Sequence, residues 1–369
     1  MTAQFDFDLH GLASVRLIEA TESDAAVVEK QLGFSAGESV DDPDIVIRFV
    51  DKLDVSSQIR YLEVDDVGFT DDAFLILRSK HKSRALVQIP FDRIGERCEI
   101  VCERGLIQVP LLIPILNLSV LKRGVLPLHA AAFSWGNVGW VATGWSKGGK
   151  TETLLSFMEN GAEYVGDEWV YLTGDGERMY GIPEPIRLWK WHLDHLPRVR
   201  ELFSKRERAK LSALGMVVRG IERWTGGTSL VRRSLGRAKP LLRKQLCVDA
   251  SPYEIFGRNA CRLSGVPNTI LFVVSHESPE ITVQSIEPDE IAQRMLFSLQ
   301  YEYRNFLSYY QKFCFAFPNS SNDFIESFES KQRDLLGRVL ARKRAYEVCH
   351  PYPVAIPELF ETITKECQC

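Results

Sequence analysis

Residues 144–151 read Gly-Trp-Ser-Lys-Gly-Gly-Lys-Thr, which fits the G-x-x-x-x-G-K-[ST] pattern of a phosphate-binding loop. The chemistry open to such a run is anion capture. Glycines at 144, 148 and 149 let the backbone come close to an anion and take turn angles that other residues avoid. A helix starting after the loop aims its positive dipole end at the same spot. In this reading Gly144, Ser146, Gly148, Gly149, Lys150, Thr151 and Glu152 surround the phosphates of ATP. Lys150 reaches the β/γ-phosphates and the Thr151 hydroxyl takes a place on Mg²⁺. A plain Gly-rich turn before a helix has the same letters, so the flanking elements must decide between the two.

Residues 129–144 read as a β-hairpin closed by Gly136-Asn137, a pair typical of tight two-residue turns. Centring the turn there pairs Trp135 with Val138 and sets His129 opposite Gly144, at the mouth of the loop. His129 is then either a half-buried strand residue bonded to backbone or a group facing the nucleotide. Beyond the loop, Leu154, Leu155 and Met158 fall at helical spacing up to a stop at Gly161. A helix over 150–160 carries the chain about 16 Å away. A strand over 162–166 brings it back by about the same distance. Asp167 and Glu168 therefore return to the level of the loop, between an apolar approach (Tyr164, Val165) and an apolar exit (Trp169 to Tyr171). One acid there can accept a proton from an attacking hydroxyl while the other helps hold a metal.

His129, the loop through Glu152 and the Asp167-Glu168 pair together resemble the HPr kinase/phosphorylase family. The Pro183 to Leu188 run, Pro-Glu-Pro-Ile-Arg-Leu, is similar to a segment of HPr kinase-related proteins. The resemblance covers roughly residues 125–190. It implies an α/β fold with a P-loop kinase core of phosphoenolpyruvate carboxykinase type. It implies Asp167 as catalytic base, His129 as its partner, Lys150 as phosphate lysine, and Thr151, Glu152 and Glu168 on the metal side. The second acid is Glu168 where the family usually has Asp. The family's Gly-Leu-Gly-rich signature does not follow the acidic pair, which argues against HPr itself as substrate.

The chain has 369 residues, 45% hydrophobic and 25% charged, the composition of a globular protein with an ample core. The N-terminus, Met1-Thr-Ala-Gln-Phe-Asp-Phe-Asp, lacks the basic-then-apolar order of a signal peptide. The most apolar run, 106–121, is broken by Pro110, Pro114 and Asn117 and is short for a membrane span. Eight scattered cysteines include Cys98-x-x-x-Cys102 and Cys367-x-Cys369, without partners at zinc-site spacing, and read as free thiols. A cytoplasmic protein without membrane contact is expected.

Residues 1–115 are expected to form a small β-rich α/β domain, with strands at Val15, Ile45, Ile59, Phe74 and Ala85 and polar stretches at 22–24 and 41–44. Residues 116–369 would form the kinase domain. A helix is expected over 106–123, a buried strand over 269–275 and an amphipathic, aromatic-rich helix over 288–313. Residues 198–245 hold fourteen Lys and Arg against Glu201, Glu207 and Glu222, a net of +11 in a chain of net −4. That insertion is either a solvated face or a cradle for an acidic partner. No nucleic-acid fold signature accompanies it. Arg187, Arg232 and Arg233 are candidates for clamping the transferred phosphate, since Arg presents a planar fork matching phosphate oxygens.

These readings converge on an ATP- and Mg²⁺-dependent phosphotransferase acting on a hydroxyl, with Ser or Thr of an acidic peptide or protein favoured over a small molecule. The rivals are a non-catalytic ATP-binding sensor or scaffold and a plain NTPase. A homo-oligomer is left open.

Overall fold

Along residues 126–133 the side chains alternate between two apolar surroundings, and that alternation sets the architecture. Leu126, Leu128, Ala130 and Ala132 belong to one buried cluster, Ala131 and Phe133 to another. The same switch recurs at Val141 against Trp140 and Ala142, and at Ile270 and Phe272 against Leu271 and Val273. Successive strand residues point to opposite faces, so a strand apolar at every position must be covered on both. The computed structural model describes residues 2–55, 57–63, 66–78, 84–223 and 246–367.

These strands form the centre of a mixed nine-stranded sheet. Its order is 264–265, 179–181, 169–172, 126–135, 138–143, 267–276, 344–351 and 282–285, with 163–166 also pairing to 126–135. Strand Pro267–His276 runs parallel to both Val138–Thr143 and Arg344–Pro351, while the remaining pairs are antiparallel. One face carries helices Leu112–Lys122, Pro288–Ala316 and Asp323–Leu340; the other carries Lys150–Met158 and Ile356–Glu366. The class is thus α/β with mixed sheets.

Residues 3–103 build a second mixed sheet of eight strands, ordered 3–9, 13–20, 45–50, 98–103, 84–88, 74–78, 67–69 and 60–63. Its core is continuous with that of the helical layer through Phe91, Phe74 and Phe313. The expected strands at Val15, Ile45, Ile59, Phe74 and Ala85 are present; Ala3–Leu9, Val67–Phe69 and Cys98–Glu103 are additional. Cys98 and Cys102 are buried strand residues.

Two expectations need correction. The polar stretch at 22–24 is the first turn of helix Glu22–Leu32. Thr21 accepts from the Asp24 N–H, and Asp24 accepts from the Thr21 N–H at 2.9 Å, so a capping box starts the helix there. The helix expected over 106–123 begins at Leu112, because Leu111 takes a left-handed conformation (φ 58°). Val109 instead docks on the first sheet's helix, where the Gln31 amide both donates to and accepts from its backbone. Of the basic insertion, helices Pro197–Leu202 and Lys205–Arg223 are described. Arg232 and Arg233 lie outside the described residues.

Asn322 joins the two layers. Its Oδ1 accepts from the Phe324 and Ile325 N–H groups and caps helix Asp323–Leu340, while its Nδ2 donates to the carbonyls of Phe91 and Ile94, each at 2.9 Å. Replacing it with Ala removes a cap worth about 1 kcal/mol and leaves two carbonyls without this donor, at about 1 kcal/mol or more each. Asn322→Ala is expected to lower unfolding free energy by about 3 kcal/mol in urea titration. Asn322→Asp keeps the cap but faces both carbonyls with an acceptor, and should not restore stability.

Candidate functional site

The hairpin register follows the sum fixed by Gly136-Asn137. Trp135 pairs with Val138 and Ala130 with Thr143, which puts His129 level with Gly144. The Thr143 hydroxyl donates to the His129 carbonyl at 3.2 Å and closes this end of the hairpin. The chain then leaves the sheet as the loop 144–149 and enters helix Lys150–Met158. That helix stops where expected: the Gly161 N–H donates to Met158 and the Ala162 N–H to Phe157, with Gly161 at φ 81°.

The loop is pressed against its neighbours. A Cβ on Gly144 would lie 2.4 Å from the Val273 carbonyl oxygen, and one on Gly149 would lie 1.9 Å from His350 Nε2. Both residues also have positive φ, 154° and 109°. Glycine is therefore required twice over, by angle and by space. The buried Lys150 ammonium donates to the Trp145 carbonyl at 3.1 Å, across the loop. Burial pulls its pKa down, opposed by Glu168, Asp167, Glu302 and Glu152.

Strand Glu163–Gly166 returns the chain to the loop as the length arithmetic requires. The Thr151 hydroxyl donates to Asp167 Oδ2 at 3.0 Å. The next residue, Glu168, has φ 67°, and the Trp169 N–H donates to the Asp167 carbonyl at 2.9 Å. This three-residue γ-turn is strained for a side chain other than glycine. It points two consecutive carboxylates into one site. Burial pushes the Asp167 carboxyl up to about 7, helped by the charge of Glu168 and opposed by Thr151 and Lys150. Glu168, bonded to His129, is held below the usual carboxylate range. The two adjacent acids are thus driven apart in acidity, the arrangement that separates a proton acceptor from a fixed charge.

His129 is buried and held by carboxylates, not by backbone. Its Nε2 lies 3.0 Å from Glu168 Oε2 and its Nδ1 3.0 Å from Glu302 Oε1, the second contact being an ion pair with off-line hydrogen-bond geometry. Burial lowers its pKa, but the two carboxylates outweigh that and the net shift is upward. Glu302 comes from helix Pro288–Ala316, far away in sequence. Beside it, the Tyr301 ring packs at 5.1 Å, tilted by 39°, against Trp145 of the loop, and both rings are half-exposed. Of the aromatic residues in that helix, Tyr303, Phe306 and Tyr310 are core, while Tyr301 forms part of the mouth.

Glu152 and Arg187 sit differently from expectation. Glu152 is buried and its Oε1 accepts from His192 Nε2 at 3.1 Å; His192 Nδ1 accepts the Trp189 N–H, which fixes the ring proton on Nε2. This pair locks the first helical turn after the loop and engages one Glu152 oxygen. Arg187 forms a two-point pair with Asp249, at 2.8 and 3.2 Å, while its charge also acts on Glu168. Glu184, inside the Pro183–Leu188 run, faces the same acids. Burial and the charges of Glu168 and Asp167 push its carboxyl well up. Among the described residues no three His, Cys, Asp or Glu side chains form a metal-binding group. The Thr151 hydroxyl beside the Asp167 carboxylate does suit a hard cation shared with phosphates, which takes few protein ligands. Ser146 lies in the loop, half-buried.

Glu302, Glu184, His192 and His350 are the site residues that sequence reasoning missed. Only Glu184 carried a local signal, a carboxylate between two prolines. The other three sit in strands or helices whose local pattern is ordinary.

The Asp167 shift has a sign that stability can read. Its folded pKa, about 7, lies above the unfolded value near 4, so its stabilising contribution is full below pH 4 and is lost as pH rises through 7. Asp167→Asn removes that penalty. The variant is expected to melt several degrees above the native protein at pH 8 and at the same temperature near pH 4, by calorimetry. No helix of the described residues is long and apolar enough to cross a membrane.

Comparison with models of known protein families finds no match. Comparison with curated proteins finds no similar sequence.

Proposed function

We propose that the chain is an ATP- and Mg²⁺-dependent kinase that transfers the γ-phosphoryl group to a hydroxyl, with Ser or Thr of a peptide or protein as the favoured acceptor. The observation that carries this reading is the 3.0 Å bond from Thr151 to Asp167. It ties the first helical residue after the lysine of a glycine loop to a buried carboxyl poised near neutrality. A nucleotide-binding module needs the loop but has no use for such an acid. The resemblance to the HPr kinase/phosphorylase family points the same way, through the same residues.

In this reading the loop amides and Lys150 hold the phosphate chain and offset charge that builds on the transferred group. Mg²⁺, held through Thr151 and Glu168, would supply the remaining positive charge. Asp167 takes the acceptor's proton as the oxygen attacks in line. Glu168 and His129 form a charged pair beside it that fixes the geometry. The Trp145–Tyr301 pair gives the mouth an apolar wall against which an acceptor can lie.

Two variants separate the roles. Lys150→Ala should weaken Mg-ATP binding measured by calorimetry and abolish ATP consumption with a Ser/Thr peptide library. Asp167→Asn should bind Mg-ATP as the native protein does, yet lose transfer by about 10²-fold or more. In the native protein the rate should climb as pH rises through about 7, when Asp167 loses its proton. Transfer at the native rate in Asp167→Asn would overturn the assignment of the base.

A further inference from the structure

His350 lies at the end of strand Arg344–Pro351, fully buried, directly behind the phosphate loop. Its Nε2 is 3.0 Å from the Gly148 carbonyl oxygen, and its Nδ1 is 2.7 Å from the carbonyl of Pro351. The ring touches Gly149 so closely that no Cβ fits between them. Register places His350 beside Ser275, two residues beyond the Val273 carbonyl that receives Gly144. The imidazole is therefore part of the floor on which the loop rests.

The consequence follows from peptide geometry. The Gly148 carbonyl and the Gly149 N–H belong to one planar trans unit, and in such a unit the two point in opposite directions. With the carbonyl held on the imidazole behind the loop, the N–H must face forward, into the concave side where an anion is bound. Glycine on both sides makes this peptide easy to turn over. Turned over, it would present a carbonyl oxygen to a phosphate oxygen, which is repulsive. Both ring nitrogens face carbonyl oxygens, so the proton must sit on Nε2 for the imidazole to donate to Gly148 and remove that choice.

We propose that His350 is a positioning residue that locks the Gly148–Gly149 peptide so that the Gly149 N–H is presented to a bound phosphate chain. The proposal rests on the phosphate-loop reading and adds a residue about 200 positions away from the motif. The test uses the full chain, with Mg-ATP and inorganic pyrophosphate as probes. His350→Leu keeps an apolar side chain without the donor; His350→Gln keeps a donor able to reach the carbonyl. Loss of one hydrogen bond to a charged ligand weakens binding by about tenfold or more. His350→Leu should show that loss by calorimetry at a temperature where circular dichroism shows it folded, and His350→Gln should recover most of it. In native protein labelled with ¹⁵N-glycine, the Gly149 amide should shift strongly when pyrophosphate is added. Binding by His350→Leu within twofold of native, while Lys150→Ala binds poorly, would overturn the lock and leave the loop reading intact. A Gly149 amide that stays still while other loop amides move would do the same, even if His350→Leu fails to fold. Native protein that binds neither probe would overturn both.

Discussion

Close approach of backbone to backbone at the loop is the constraint on which the rest of the site depends. The loop between Thr143 and Lys150 has the Val273 carbonyl and the His350 ring as its floor. That seat exists only because Pro267–His276 lies between Val138–Thr143 and Arg344–Pro351, parallel to both. Parallel strands carry their chain ends to one edge of the sheet, so loop, floor and supporting imidazole meet there. Ser298, donating to the Gly144 carbonyl at 3.3 Å, adds a contact from the helical layer. A side chain at 144 or 149 would force the loop off this floor, and the amides would lose their common direction.

Around that floor the charges are arranged in pairs that oppose burial. Lys150 is surrounded by carboxylates, and His129 is held between two of them. Asp167 has only a hydroxyl as a bonded side-chain partner, and burial raises its carboxyl pKa. The γ-turn at Glu168 makes this inequality possible. By turning consecutive residues in different directions it gives Glu168 the imidazole and leaves Asp167 at the loop. A regular strand would also separate neighbouring side chains, but across the sheet rather than into one site. Local strain and a destabilised carboxyl at the same two residues support the proton-acceptor role proposed for Asp167.

The helical layer does two things at once. Helix Pro288–Ala316 buries Tyr303, Phe306 and Phe313 in the core shared with the first sheet, and it also sends Tyr301 to Trp145 and Glu302 to His129. The first sheet therefore bears on the site through that helix, with Asn322 fixing the neighbouring helix to the turn at Phe91–Ile94.

Local sequence was enough to write the loop, the hairpin register and the return of Asp167, because each depends on short-range geometry: a two-residue turn fixes pairing, and rise per residue fixes reach. It also marked the strands that are apolar at every position and so buried on both faces. The polar stretch at 22–24 left the start of helix Glu22–Leu32 unassigned, although Thr21 and Asp24 carry a complete cap in four letters. What tertiary structure alone decided is which distant side chains enter the site. His350, His192 and Glu302 come from ordinary-looking elements, and the pairing of Glu152 with His192 has no signal in the local run. Their roles follow from which strand lies beside which and how a helix is rotated about its axis. Those choices are made by the packing of the whole core, and no local run of residues contains them.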